Sequence, residues 1–219
     1  MTAMAPRRSS EVTGAMAPSL HRGSDSNGGP STTRAHHPPA HPPGHTPAGR
    51  TRAERLAAYA ARPVHRNVAR VVEAGTAIGV IVDPREFEAS TRTAGDAAAA
   101  IGVELGQIVK SLVFVVDSRP VLALVSGDRH LDEPKLAAAA GGALATRPDA
   151  NAVRQATGFP VGGVPPFGHA THMSVFFDDG LLRDGQVWAA AGTPHVNFAV
   201  EPRLLADATG AVVTDITCP

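Results

Sequence analysis

The sequence predicts a mixed α+β domain of the α/β class: a central, partly antiparallel sheet wrapped by helices, behind a disordered N-terminal tail. Three observations predict it. Residues 108–116 and 121–125 form two β-branched-rich runs separated by a hairpin-length link. Short helical stretches opened by Asp or Thr and closed by Gly interleave with such runs. The connections are too short for every strand to be joined by a crossover helix, which argues against a doubly wound parallel sheet.

Residues 1–50 hold eight Pro, six Gly and five His and almost no large apolar side chain. Such a stretch cannot bury enough surface to offset the entropy of ordering it. It is expected to be a tail without chemistry, and His36, His37, His41 and His45 read as solvated rather than as a metal tract. Residues 51–219 form the globular domain. Helices are expected at Arg52–Ala61 and Val64–Ala74, separated at Pro63, then a strand at Val80–Phe87 broken by Pro84. Thr93-Ala-Gly-Asp96 reads as a capping box before Ala97–Ile101, with Gly102 as its stop. The Ile108–Val116 and Val121–Val125 strands turn at Asp117–Pro120. Asp132 caps a helix to Ala140, and Thr146–Gly158 repeats the cap–helix–glycine order. Strands at Met173–Phe177, Val187–Ala190 and Val196–Val200, a helix at Pro202–Ala208 and a strand near Ala211–Asp215 complete the order.

Charge and composition narrow the function classes. The 20 basic and 20 acidic residues cancel, but the tail carries five Arg against Glu11 and Asp25, leaving the body acidic. An acidic body does not wrap duplex nucleic acid by charge; a nucleic-acid partner must be gripped locally. No apolar run reaches the roughly 18 residues of a membrane span, and no apolar stretch follows Arg7 and Arg8. A single cysteine, Cys218, rules out an internal disulfide and a Cys-rich zinc site. A cytoplasmic protein without a membrane partner is expected.

Only Lys110 and Lys135 among the 20 basic residues are lysines. Strand alternation puts Lys110 on one face with Ile108, Leu112, Phe114 and Val116. An ammonium on an apolar face is costly unless paired or opened to a polar pocket. It contacts an anionic or carbonyl ligand, or it snorkels to solvent from a strand start; the pattern alone leaves both open. Gly162-Gly-Val-Pro-Pro-Phe-Gly168 packs three Gly and two Pro into one stretch. Glycine lets backbone approach a ligand and proline holds it there, although the same residues also build plain corners. His169 and His172 lack a carboxylate or thiol at ligand spacing, so no metal site is assigned. Asp178 reads as a substrate carboxylate or a turn start. Lys135, in the first turn of its helix, reads as a surface side chain. There is no nucleophile elbow, P-loop or dinucleotide fingerprint, so no cofactor is expected.

Six segments in order resemble the YbaK/ProX family of aminoacyl-tRNA deacylases, relatives of the prolyl-tRNA synthetase editing domain. They are Thr93–Ala98, Gly106-Gln-Ile-Val-Lys-Ser-Leu-Val-Phe114, Leu124–Asp128, Leu131–Leu136, Thr157–Gly168 and Ala191-Gly192. The resemblance covers about residues 64–216 and none of the tail. It implies a single domain with a central, barrel-like sheet, and an enzyme that hydrolyses, in trans and without a metal, the ester of a mischarged aminoacyl-tRNA. Lys110 matches the family's essential lysine, with Ser111 beside it. Gly162 and Pro166 match the G-x-x-x-P loop that positions the aminoacyl group, so Gly163, Val164, Pro165, Phe167 and Gly168 join the substrate-binding set. Asp178 and Gly192 complete it.

The implied partner is the acceptor end of a mischarged tRNA, with an aminoacyl-tRNA synthetase or the arginine-bearing tail supplying further affinity. An aminoacyl ester is already activated, so Lys110 is assigned electrostatic help to the tetrahedral charge while a ribose hydroxyl of the substrate activates water. Ala190 and Asn197 stand where some members carry a serine and an acidic residue. They leave the edited amino acid unassigned. They also keep a second reading alive, a catalytically inactive module that binds the tRNA acceptor end or regulates. A metal-dependent hydrolase using the histidines is a third.

Overall fold

The computed structural model describes residues 65–218. The expected tail 1–50, its histidine tract and the helix expected over Arg52–Ala61 lie outside the described residues.

Helix α1 (Arg66–Ala77) opens where His65 Nδ1 accepts the Asn67 N–H, and it buries Val68 and Val71. It runs to Ala77, beyond the expected end at Ala74. Of the strand expected over Val80–Phe87, only β1 (Arg85–Glu86) pairs. Val80 and Val82 are buried without a ladder, and Pro84 offers no N–H to extend one. Helix α2 (Ala94–Ile101) starts as the cap pattern predicts: Thr93 Oγ1 accepts the Asp96 N–H at 3.1 Å, and Gly102 closes it in the left-handed region.

Strands β2 (Val109–Val116) and β3 (Arg119–Ser126) form the expected hairpin, tighter than the sequence suggested. The loop is Asp117-Ser118 alone, at φ 45 and 68. Both central residues in that region define the primed turn whose twist suits a two-residue hairpin. Pro120 falls inside β3, opposite Val115 and before β6 joins at Val121, where a missing N–H breaks no ladder bond. Strand β4 (His130–Leu131) leads into helix α3 (Glu133–Ala139), capped by Asp132. Strand β5 (Ala145–Thr146) precedes helix α4 (Ala150–Thr157), capped by Asp149. After the glycine–proline loop come β6 (Ser174–Asp178), β7 (Val187–Thr193), β8 (Val196–Val200), helix α5 (Pro202–Ala208), β9 (Val212–Thr214) and β10 (Thr217–Cys218). The small β4–β10 pair was not foreseen; two-residue strands carry no readable alternation.

The strands form a five-stranded sheet ordered β5-β2-β3-β6-β9, a three-stranded sheet β1-β8-β7 and the β4–β10 pair. β2–β3 is antiparallel while β3–β6 and β6–β9 are parallel, which makes the central sheet mixed. The barrel-like closure implied by the resemblance is not observed: among the described residues every sheet is open. β2 meets β5 only at Val115 and Val116, and meets β7 only through an isolated bridge from Ile108 to Trp188. Too little backbone is shared across those edges to close a barrel, which needs a continuous staggered ladder.

Side-chain alternation divides the core. One face of the central sheet (Val109, Val113, Leu122, Leu124, Phe177) packs with α1, β7 and β8. The other (Phe114, Val116, Val121, Ala123, Val125, Phe176) packs on Leu136 and Ala137 of α3.

Candidate active site

A cavity of about 440 Å³ opens along the unpaired part of β2. It is floored by residues 108–114 and walled by the start of α2, by Arg147 and Pro148 ahead of α4, by Gly162 and Val164 of the loop, and by Ala190 and Asn197 of β7 and β8. Residues of both parities reach it because it looks onto the strand's edge rather than onto one sheet face.

Lys110 lies on the α3 face, as alternation predicts, and lines this cavity. Its ammonium turns toward the end of β3, donating to the carbonyls of Gly127, at 3.2 Å, and Arg129. Two of its three protons are thereby held and one remains for a ligand. Burial pushes its pKa below the ordinary lysine range, and the nearby carboxylates of Asp128 and Asp178 partly oppose that shift. Asp128 is itself held low, first by the Ser126 hydroxyl at 2.6 Å and further by Arg183. The lysine is therefore a pinned cation rather than a snorkelling one.

The loop reaches the cavity through two residues. Gly162 sits at φ 84, a conformation side chains rarely adopt, and a Cβ there would lie 2.5 Å from Arg92 Cγ. Val164 is buried against the first core cluster. The remaining predicted loop residues hold the corner in place. Phe167 packs against Phe198, with ring centroids 5.7 Å apart. Pro165 O accepts from His169 Nε2 at 2.8 Å, and Gly168 O accepts from Arg70 Nε at 2.9 Å. Arg70 also lies 3.9 Å over the Phe159 ring. Gly163 backs onto the main chain of Thr193, and Pro166 is buried.

The structure thus brings Lys110, Ser111, Gly162 and Val164 to one cavity. Two predicted residues stand elsewhere. Asp178 is 0% exposed, and its Oδ1 accepts from Arg129 Nη1 and from Thr217 Oγ1, both at 3.1 Å. Gly192, at φ 94, gives its carbonyl to Asn67 Nδ2 at 3.0 Å and packs β7 on α1. Lys135, read as a surface side chain, bridges to Asp215 at 2.7 Å. Sequence reasoning missed Thr91, Arg92, Thr93 and Arg147 as cavity residues. A cap box before a helix is a readable signal for Thr93; the two arginines carry none, because their neighbours in space are distant in sequence.

The aminoacyl-tRNA editing domain profile matches residues 88–208, more than half of the chain. The chain belongs to the aminoacyl-tRNA editing domain family. It is 36% identical over 126 residues to the uncharacterized protein YwhH of Bacillus subtilis (strain 168), covering 57% of this chain and 80% of that protein. It is 40% identical over 100 residues to a proline–tRNA ligase of Geobacter sp. (strain M21), covering 44% of this chain but only 18% of the ligase. A solved structure described as a candidate trans-editing enzyme for prolyl tRNA synthetase superposes with TM-score 0.67 at 43% identity, covering 71% of this chain and 99% of the other. The matched region of this editing domain contains every residue assigned to the cavity.

Proposed function

We propose that the chain is a trans-editing aminoacyl-tRNA deacylase that hydrolyses the ester of a mischarged aminoacyl-tRNA without a metal. The observation that carries this reading is the convergence of Lys110, the Gly162 corner and the edge of β2 on one cavity. The editing family and the trans-editing description of the 43% identical structure supply the reaction class.

The lining suits that chemistry. Among the described residues that line the cavity none is an acid, a histidine or a cysteine. With none of those side chains in the lining, water activation is assigned to a ribose hydroxyl of the substrate. The carboxylates of Asp178, Asp179 and Asp215 lie within 4.8 Å of one another but outside the lining. Arg129 and Lys135 already bond to them, a donor set neutralised by cations rather than open to one. Lys110 donates its remaining proton to the developing oxyanion. One such donor is worth about 2.7–4 kcal/mol in the transition state. Arg92 and Arg147, both exposed at the cavity, meet the phosphates of the acceptor end. The domain is about a fifth of the length of the ligase it resembles, so recognition of the rest of the tRNA is assigned to a synthetase partner or to residues outside 65–218.

The test is single-turnover deacylation of mischarged tRNAs (Ala-, Cys- and Ser-tRNA(Pro) among them) by wild type and Lys110→Ala, with EDTA present. Hydrolysis of one substrate, reduced about 10²–10³-fold by the substitution, is expected. Ala190 and Asn197 both line the cavity, which favours a second reading, a non-catalytic acceptor-end binder. Binding of the charged end without hydrolysis would establish that one instead.

A further inference from the structure

The main chain of β2 carries information that its side chains do not. In an antiparallel ladder successive residues direct their N–H and C=O alternately to the two neighbours. Here the even-numbered residues face β3: Gly127 N donates to Ile108 O at 2.8 Å, continuing that side. The odd-numbered ones face away, as shown by Val115 O accepting from Thr146 Oγ1 and Asp117 N donating to Leu144 O. Ser111 and Val113 belong to the second set. Strand β5 reaches only Val115 and Val116, and the bridge to β7 stops at Ile108. Between those ends no strand among the described residues lies beside the N–H and C=O of Ser111 and Val113, and both residues line the cavity.

An unpaired strand edge normally invites another strand. This one is closed at both ends by β5 and β7, leaving room for one residue rather than for a peptide. A single aminoacyl group fits that length. Its α-ammonium and its ester carbonyl flank one Cα, as the N–H and C=O of a residue do. We infer that the aminoacyl group docks as a one-residue strand on the β2 edge, its ammonium donating to a carbonyl, and its ester carbonyl accepting an N–H, of Ser111 or Val113. The inference rests on the deacylase reading and specifies how that site takes its substrate.

Two consequences give it content. Antiparallel pairing runs the acyl group against β2, so the ester's alcohol side leaves toward the amino-terminal end of the strand, where Lys110 stands. The N–H that donates to the ground-state carbonyl also donates to the oxyanion when water adds, so the edge works beside Lys110 as a second donor. Pairing through the main chain further makes binding depend on the ammonium and on the L configuration, whatever the side chain.

The experiment uses the full chain, ¹⁵N-labelled, titrated with 3′-(L-aminoacylamino)-3′-deoxyadenosines, amide-linked and not hydrolysable, in alanyl, cysteinyl and seryl forms. The expected result is a shift and slowed exchange of the Ser111 or Val113 amide, absent with adenosine alone and with the D-aminoacyl analogues. In parallel, the peptide N–H of each residue is replaced by an ester oxygen through α-hydroxy acid incorporation. At one of the two, kcat falls about 10²–10³-fold with KM little changed. The same replacement at Leu112, whose N–H faces β3, controls for lost stability. Analogue binding that leaves both amides unmoved, equal effects with adenosine alone, or no binding by any analogue overturns the inference. If Lys110→Ala still abolishes deacylation in that case, the deacylase reading stands and only the edge docking falls.

Discussion

Gly163→Ala isolates what the loop contributes, because Gly163 does not itself line the cavity while both its neighbours do. A Cβ built on Gly163 lies 2.9 Å from the Cα and the carbonyl carbon of Thr193 and 3.0 Å from its nitrogen. Ordinary contacts begin near 3.4 Å, so the methyl must push the two chains apart by about half an ångström. The opposing atoms are backbone at the end of β7 and cannot rotate aside. Overpacking of this kind typically costs about 1–3 kcal/mol. The displacement passes directly to Gly162 and Val164, on either side. Since a misplacement of about 1 Å can cost about 10²-fold in rate, a fall in kcat of about 10-fold or more is expected. Single-turnover deacylation and urea unfolding measure both effects. Gly95→Ala is the comparison: its nearest atom, Thr93 Oγ1, is 4.0 Å from the new methyl. It should gain about 0.5–1 kcal/mol as a helical Gly replaced by Ala. If Gly163→Ala unfolds at the wild-type midpoint and keeps the wild-type rate, the contact with Thr193 does not set the loop, and the positioning argument is refuted.

Arg70→Met removes the guanidinium that ties Gly168 O and Thr157 O together over Phe159. A loss of about 2 kcal/mol is expected by urea unfolding, only partly restored by Lys, which cannot reach both carbonyls from one stacked plane. Asp178→Ala leaves Arg129 and Thr217 without their buried acceptor, and a loss of about 3 kcal/mol should appear in the same assay; Asp178→Asn should cost less. Burial pushes the His169 pKa down, with its bond to Pro165 O opposing and Arg70 adding to the depression. A depressed imidazole takes up its proton less readily folded than unfolded, so its contribution is complete above an unfolded pKa of about 6.5. It is lost as pH falls from there through the folded value. Urea midpoints measured from pH 8 downward should fall across that window, and His169→Gln should flatten the fall; an unchanged slope would show that the imidazole is not buried neutral.

The sequence by itself determined most elements, since their signals are local. The Thr93 and Asp132 caps, the stops at Gly102 and Gly158 and the β-branched runs each depend on neighbours a few residues away, and each appears where it was read; the cap read at Thr146 falls instead at Asp149, because Thr146 is taken up by β5. The alternation that put Lys110 on an otherwise apolar face held for the same reason. The motifs also singled out Lys110, Ser111, Gly162 and Val164, which meet in the cavity. Tertiary structure decided the rest. Whether the sheet closes depends on how few residues β2 shares with β5 and β7, a matter of register between distant segments. Asp178 and Lys110 each fit two readings until their partners were fixed: Arg129 and Thr217 for the first, the carbonyls of Gly127 and Arg129 for the second. The open edge at Ser111 and Val113 has no side-chain signature. Every residue but proline carries the same backbone donor and acceptor, and only the assembled fold leaves these two without a neighbouring strand among the described residues.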